Sequence, residues 1–351
     1  MKKILIVATG GTIASSAGSH GLTPTLTGEE LVGYVPQVRD LCNFEIVQAM
    51  NIDSTNMQPN DWLRIADTIM AAYDDFDGFV ILHGTDTMAY TAAALSYLIQ
   101  DSPKPIVLTG SQQPMSNPFT DAKLNLYQSL LYACQDDSSD VSVVFDGRVI
   151  VGTRAHKQRT MSFNAFTSVN YPLPAIIRND RVIRESHMGM SIEKDNPPRK
   201  ESHLHSILRP RRPRVYHELD DHVVVLRLTP GLGPEVLDAL FAEFDAVILE
   251  VFGIGGIPET DDAHFEKAIL GWTSVGKYVV MTTQVSEEGL DLGVYEVGST
   301  YLNRPRILLG GDMTTEALVA KTMWVLGQSN DPRKAAQLFY QPINHDRASD
   351  D

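Results

Sequence analysis

Phe79-Val80-Ile81-Leu82-His83-Gly84-Thr85-Asp86-Thr87 is the stretch that decides the fold. Four apolar residues without alternation, bounded by a glycine turn, read as a strand buried on both faces of a parallel sheet. The polar turn leads into Met88 to Ile99, apolar nearly all round and so a buried helix, with Asp86 or Thr87 as its cap. The same pattern recurs on either side. Ile4-Leu5-Ile6-Val7-Ala8 runs into Thr9-Gly10-Gly11-Thr12, and Pro105-Ile106-Val107-Leu108 runs into Thr109-Gly110-Ser111-Gln112. Ligands of open α/β sheets sit beyond the carboxyl ends of the strands. Threonines, an aspartate and glycine amides therefore gather where a small polar substrate would bind. No cysteine or histidine pattern there suits a metal, so hydroxyl-based nucleophilic chemistry is expected, with no metal and no organic cofactor.

Strand-like and helix-like segments alternate along the rest of the chain. Ile13 to Thr25 is small, polar and rich in Ser and Gly, and reads as a loop and candidate lid. Thr27 with Glu30 forms a capping box, and Leu26 with Leu31 a hydrophobic staple, so a helix is expected to start there. Trp62, Ile65, Ala66, Ile69, Met70 and Tyr73 repeat at helical spacing as a core-facing stripe. Leu124, Tyr127, Leu131 and Cys134 mark a further helix. Val141 to Phe145 and Val149 to Val151 read as a hairpin turning at Asp146-Gly147. The pattern dissolves from Ser186 to Arg214, where Lys194-Asp195-Asn196-Pro197-Pro198 can continue neither helix nor central strand. Beyond it, Val223 to Leu228, Ala246 to Val251, Tyr278 to Thr282 and Arg306 to Leu309 read as strands. Pro234 opens a helix, and a last helix follows Gly310-Gly311-Asp312. The expected class is α/β with two domains. Residues 1–190 form a larger, mixed or parallel sheet flanked by helices, 191–214 a linker, and 215–351 a smaller Rossmann-like parallel-sheet domain.

Bulk properties narrow the function. The chain has 351 residues, 43% of them hydrophobic, and a net charge of −15. This is a globular protein for which polyanionic partners are unfavourable, so neither nucleic acid nor an anionic membrane is expected. The basic run Arg199 to Arg214, with Arg209, Arg211 and Arg212 inside it, reads as a solvated linker. Cys42 and Cys134 are the only cysteines and lie far apart in sequence. They suggest no disulfide scaffold, and Cys134 reads as a small core residue. The N-terminal apolar run stops after five residues, with no h-region or cleavage site, and no stretch is long enough to span a bilayer. A cytoplasmic location is expected.

A threonine hydroxyl becomes a nucleophile only when a base takes its proton; a lysine can do this, oriented by an aspartate. Thr85 and Asp86 stand at the mouth of a helix N-terminus, which favours a carboxylate or oxyanion. The glycine turn after the first strand lacks Gly-x-Gly-x-x-Gly, and no phosphate-cradling Gly-Lys-Ser/Thr loop exists, so nucleotide binding is not expected.

Thr9-Gly10-Gly11-Thr12-Ile13-Ala14 and His83-Gly84-Thr85-Asp86-Thr87-Met88, the second highly specific, resemble the two signatures of the bacterial-type asparaginase/glutaminase family. Asp77 to Leu82 also fits, and the similarity runs through Gly310-Gly311-Asp312-Met313-Thr314. Ile52-Asp53-Ser54 and Met88-Ala89-Tyr90-Thr91-Ala92 resemble the cytoplasmic type I branch. The resemblance implies an L-asparagine amidohydrolase in which Thr12 attacks the side-chain amide through a covalent acyl-enzyme. Thr85, Asp86 and Lys157 would form a second hydroxyl–carboxylate–amine group. Lys157 is placed by counting back from Phe163-Asn164-Ala165-Phe166, which resembles the family's Phe-Asp-Ala-Phe. Ser54 and Asp86 would hold the substrate's α-carboxylate and α-ammonium. Gly11, Thr55, Gly84, Thr85 and Ser111 complete the implied binding set. A homodimer or homotetramer is also implied.

The chain departs from the family in places. Leu22 stands where the mobile loop normally carries a tyrosine, and Asn56 replaces a common aspartate. Some members bind asparagine at an allosteric site through an arginine and a cysteine. Glu250 and Val285 stand there, so such allostery is not expected. The alternatives are a glutaminase or D-amino-acid amidase using the same site, one component of an ammonia-supplying amidotransferase, and a catalytically silent asparagine sensor. The amidotransferase branch usually carries an extra N-terminal domain, whereas the first signature here begins at residue 9.

Overall fold

The computed structural model of the chain describes residues 1–11, 13, 15–18, 21–24, 30, 33–184, 212–260, 263–294, 300–302 and 304–348. They form two compact units, Met1–His217 and Glu218–Asp351. Thr12, the capping box at Thr27 and most of the 191–214 segment lie outside the described residues. So does the Leu22 side chain.

In the first unit the chain runs β1 (Lys3–Gly10), β2 (Asn43–Ile52), α1 (Pro59–Ala71), β3 (Gly78–Leu82), α2 (Met88–Leu98), β4 (Pro105–Thr109), α3 (Ala122–Ala133) and β5 (Asp140–Phe145). It continues through β6 (Arg148–Val151), β7 (Ala155–Lys157), β8 (Phe166–Ser168), β9 (Ala175–Arg178) and β10 (Arg181–Arg184). Eight strands form one sheet in the order β10-β9-β6-β5-β4-β3-β1-β2. The β2-β1-β3-β4-β5 part is parallel, and the rest antiparallel. The parallel part reverses direction of growth between β1 and β3, and a ligand crevice opens at such a switch point. The Asp146-Gly147 hairpin forms as expected, both residues taking positive φ (50° and 71°), as a tight turn between right-twisted strands requires.

Every residue of β3 and β4 is buried, and α2 is buried at every position except Tyr90. This matches their unbroken apolar runs. Its cap differs from expectation. Thr87 occupies the N-cap position but makes no side-chain cap bond, because its Oγ1 donates to the Ser54 carbonyl at 2.7 Å. Asp86 is engaged by Lys157 instead. The α3 face also differs. Leu124 is 55% exposed, while Asn125, Gln128 and Ser129 are buried. Asn125 and Gln128 point inward to serve loop atoms. Asn125 bonds the Gly110 carbonyl and the Asp146 amide, and Gln128 accepts from the Gly147 amide. Buried polar groups need such partners, so here polarity does not mark the outer face. Ser15–Gly18 and Gly21–Pro24 pair antiparallel inside the segment read as an irregular loop.

The second unit has β11 (Val223–Arg227), α4 (Glu235–Leu240), β12 (Ala246–Val251), α5 (Phe265–Ser274), β13 (Tyr278–Thr283), β14 (Ile307–Leu309), α6 (Thr315–Gln328) and α7 (Pro332–Tyr340). Its four-stranded sheet is parallel throughout, in the order β11-β12-β13-β14. The α/β class with a large mixed sheet and a smaller parallel one is as expected. Each unit fixes the chain leaving a helix with a lysine. Lys104 donates to the Tyr73 and Phe76 carbonyls, both at 2.6 Å. Lys277 donates to those of Phe241 and Phe244, both at 2.5 Å. In both, a cation meets the negative end of a helix.

A second lysine holds the C-terminal segment. Lys321, on α6, is fully buried with Asp346, their Nζ and Oδ2 2.5 Å apart. It also donates to the Gln341 carbonyl at 2.8 Å. Asp346 in turn accepts from the Ile343 amide at 3.0 Å. Burial pushes the Lys321 ammonium down, to about 8, with Asp346 opposing.

Candidate active site

The carboxyl ends of β1, β3 and β4 lie side by side, because these strands are adjacent and parallel. Their turns meet by backbone contact. Gly11 has φ +82° and lies so close to Gly84 that a Cβ on it would fall 2.3 Å from the Gly84 Cα. A Cβ on Gly84 would fall 2.5 Å from the Ser54 Oγ. Real Cβ atoms do not approach so closely, so only glycine permits the three segments to touch. The Gly11 amide also donates to the Ile52 carbonyl at 3.1 Å, joining the β1 turn to the end of β2.

On this base Lys157 joins two chain-distant groups. Its Nζ donates to Thr85 Oγ1 at 2.8 Å and to Asp86 Oδ1 at 2.6 Å. The lysine comes from β7, a short ladder strand in which Lys157 pairs with Phe166. Thr85 is 4% exposed, whereas the Lys157 and Asp86 side chains are 16% and 56% exposed. The group is thus closed at the hydroxyl and open at the carboxylate. With its carboxylate end open to solvent, the ion pair contributes modestly to stability.

Other sequence-derived candidates divide. Gly11, Ser54, Gly84, Thr85, Asp86 and Lys157 are drawn together by the contacts above. The Thr55 hydroxyl and amide both go to Asp53 Oδ1 at 3.0 Å. Ser111 is fully buried, and its Oγ donates to the Gln113 carbonyl at 2.6 Å, closing its own loop. Thr12 follows Gly11 directly but is not among the described residues. A partly exposed carboxylate–histidine cluster, Asp220, Asp221 and His222, has metal-ligand spacing but belongs to the second unit. At the positions linked to allostery, Glu250 is buried, accepting from Arg227 and Thr315 at 2.7 Å each, and Val285 is 53% exposed.

Three residues with no assigned role from sequence support the group. Gln112 Oε1 accepts from Thr85 Oγ1 at 3.2 Å, while its Nε2 donates to the Arg159 and Ser162 carbonyls at 3.4 and 3.2 Å. Two carbonyl acceptors fix the amide nitrogen, so the oxygen must face Thr85. Asp121 accepts from the Gln112 and Gln113 amides at 3.0–3.1 Å and from Asn125 at 3.0 Å. Burial raises its pKa and these bonds oppose the rise. Gln112 was legible as part of the third strand-end loop; nothing in the pattern marks Asp121.

His83 is the third. It is wholly buried, with Nδ1 2.7 Å from the Gly84 carbonyl and Nε2 2.9 Å from Thr91 Oγ1. A carbonyl only accepts, so the proton sits on Nδ1, and Nε2 accepts from the threonine. Burial lowers its pKa from 6.5 to about 4, the Gly84 bond opposing. A depressed pKa gives stability that is complete above the unfolded value near 6.5 and lost as pH falls through about 4. The difference is worth about 3 kcal/mol. Urea unfolding of wild type between pH 7 and 4 is expected to weaken by that much more than unfolding of His83→Gln. Parallel curves for the two proteins would refute the assignment.

Family models match both halves of the chain. One described as "Asparaginase, N-terminal" matches residues 3–188, and one described as "Glutaminase/Asparaginase C-terminal domain" matches residues 222–339. An L-asparaginase of Thermococcus kodakarensis is 39% identical over 344 residues, covering 97% of this chain and 98% of that protein. A solved structure of the thermostable L-asparaginase from that organism superposes with a TM-score of 0.87 at 36% identity, covering 99% of each chain. L-asparaginase 1 of Escherichia coli K12 is 31% identical over 357 residues, covering 100% of this chain and 99% of that protein. With models matched in both halves and relatives aligned nearly end to end, the chain belongs to the asparaginase family of hydrolases.

Proposed function

We propose that the chain hydrolyses the side-chain amide of L-asparagine, giving L-aspartate and ammonia. The observation that carries this reading is Lys157 Nζ held between Thr85 Oγ1 and Asp86 Oδ1. A hydroxyl, an amine and a carboxylate in series can move a proton at a buried oxygen while one end stays open to substrate. The Thr12 oxygen attacks the amide carbon, the C–N bond breaks, and ammonia leaves with the hydroxyl proton. A β-aspartyl ester remains on Thr12. Water then attacks the ester carbon and returns a proton to Thr12 as aspartate departs. Thr85 and Lys157 carry the proton in these exchanges, and Asp86 holds the lysine. Backbone amides near Gly11 and Gly84 steady the oxyanion. Ser54 takes the substrate α-carboxylate, Asp86 the α-ammonium, and Thr55 and Ser111 border the pocket.

The test is ammonia release from L-Asn, L-Gln and D-Asn by wild type, Thr12→Ala and Thr85→Val. Turnover on L-Asn with loss of at least a hundredfold in each variant is expected. Activity surviving in Thr12→Ala would overturn the nucleophile, and greater turnover on L-Gln or D-Asn the substrate.

Gln112 bears on the same step. While Lys157 donates to Thr85, the hydroxyl hydrogen points at Gln112; once the lysine has lost a proton, the hydroxyl can donate to it instead. Gln112→Leu removes an acceptor worth about 1 kcal/mol. A fall in kcat of roughly fivefold with little change in KM is expected; an unchanged kcat would show the bond to be incidental.

A cytoplasmic homodimer or homotetramer completes the proposal. Its support is the type I resemblance and, among the described residues, the lack of a helix long and apolar enough to cross a membrane.

A further inference from the structure

The two cysteines meet in the fold although they are far apart in sequence. Cys42 directly precedes β2 and is 2% exposed; Cys134 caps the C-terminus of α3 and is partly exposed. Cys134 Sγ lies 3.9 Å from the carbonyl oxygen of Leu41, the residue bonded to Cys42, so the two side chains lie close enough to influence each other. Both pack on the same apolar cluster. Cys42 stands at the amino end of its strand, so the pair is at the edge of the sheet opposite Thr85, Asp86 and Lys157.

The thiols are not equivalent. Cys42 is held protonated, first by the neighbouring Cys134 thiol and then by burial. Cys134 is shifted down by the Cys42 thiol and by the nearby Lys2 ammonium, with burial opposing. The more accessible sulfur is therefore the more nucleophilic, with a protonated partner beside it, the arrangement of an attacking and a resolving thiol.

We propose that Cys42 and Cys134 form a peroxide-responsive disulfide site at the amino edge of the large sheet. The Cys134 sulfur attacks one oxygen of hydrogen peroxide or an alkyl hydroperoxide. The O–O bond breaks, leaving Cys134 as a sulfenic acid, and the released hydroxide or alkoxide takes up the proton lost by the Cys134 thiol to become water or an alcohol. The Cys42 sulfur then attacks the Cys134 sulfur. The S–O bond breaks, and the departing hydroxide takes the Cys42 proton as water. Two thiols lose two electrons, and the peroxide is reduced to water or to water and an alcohol. In a reducing compartment the pair rests as dithiol. The cross-link closes a long loop holding β2, α1, β3, α2, β4 and α3, so it stabilises the unit chiefly by restricting the unfolded chain.

The experiment treats the full-length protein with hydrogen peroxide under native conditions. Expected are loss of both titratable thiols, an intact mass lighter by two hydrogen atoms, a tryptic peptide joining Cys42 to Cys134, and a melting temperature several degrees higher that dithiothreitol reverses. In Cys42→Ser, Cys134 should stop at the sulfenic acid, trapped by dimedone, with no gain in melting temperature. In Cys134→Ser, Cys42 should stay a thiol. Wild type that accumulates a sulfinic acid on Cys134 with Cys42 free, forms only disulfides between chains, or keeps both thiols would overturn the proposal.

Discussion

Replacing Lys157 by methionine is expected to lower kcat for ammonia release about a thousandfold, the middle of the range for a positioned acid–base group. The melting temperature should hardly move. Asp86 is 56% exposed, so water can take the place of the lost ammonium, Thr85 keeps Gln112 as acceptor, and methionine fills the volume. Arginine should not rescue activity, since a guanidinium stays charged and cannot accept the Thr85 proton. Steady-state kinetics on L-Asn beside thermal melts separate the outcomes. A kcat within tenfold of wild type would remove Lys157 from the proton path, and unfolding would make it a structural residue.

Asp346→Ala carries the largest expected change in stability. It leaves the Lys321 ammonium buried at 0% exposure without its carboxylate counter-charge. An uncompensated buried charge costs about 3–5 kcal/mol, and the second unit should melt about 10 °C lower. Lys321→Met alone should cost less, because Asp346 retains the Ile343 amide. Lys321→Met with Asp346→Leu should recover most of the loss, since a well-packed apolar pair avoids desolvating two charges. A double variant as unstable as Asp346→Ala would mean that the segment is held by contacts other than the ion pair.

What could be read from the sequence depended on the range of the interaction. The apolar runs of β3 and β4 and the all-round apolarity of α2 are properties of consecutive residues, and they appear in the fold as expected. The meeting of the Gly11 and Gly84 turns followed from placing both after adjacent parallel strands. Side chains with two possible partners were harder. Thr87 and Asp86 are good caps by local rules, yet one goes to Ser54 and the other to Lys157. Leu124 fits an apolar stripe but faces solvent, because the buried face of α3 carries amides that serve two loops. The Cys42–Cys134 contact, the Lys321–Asp346 pair and the Asp121 clamp join residues whose proximity no local period encodes. The geometric neighbourhood of the site was legible, but its supporting bonds were not.

The contact of Gly11 with Gly84 and of Gly84 with Ser54 has a consequence for how this protein can change. Spacing between the Gly11 and Gly84 turns is set by main-chain radii, and the Ser54 side chain closes on Gly84 from the next segment. A library randomised at positions 11 and 84 should yield almost nothing but wild type. Adaptation toward a new amide must enter through Gln112, Thr55 or the 158–164 segment, which surround the contact without being squeezed by it. Mutational tolerance around this centre should therefore be steeply graded, with a barren middle and a permissive rim.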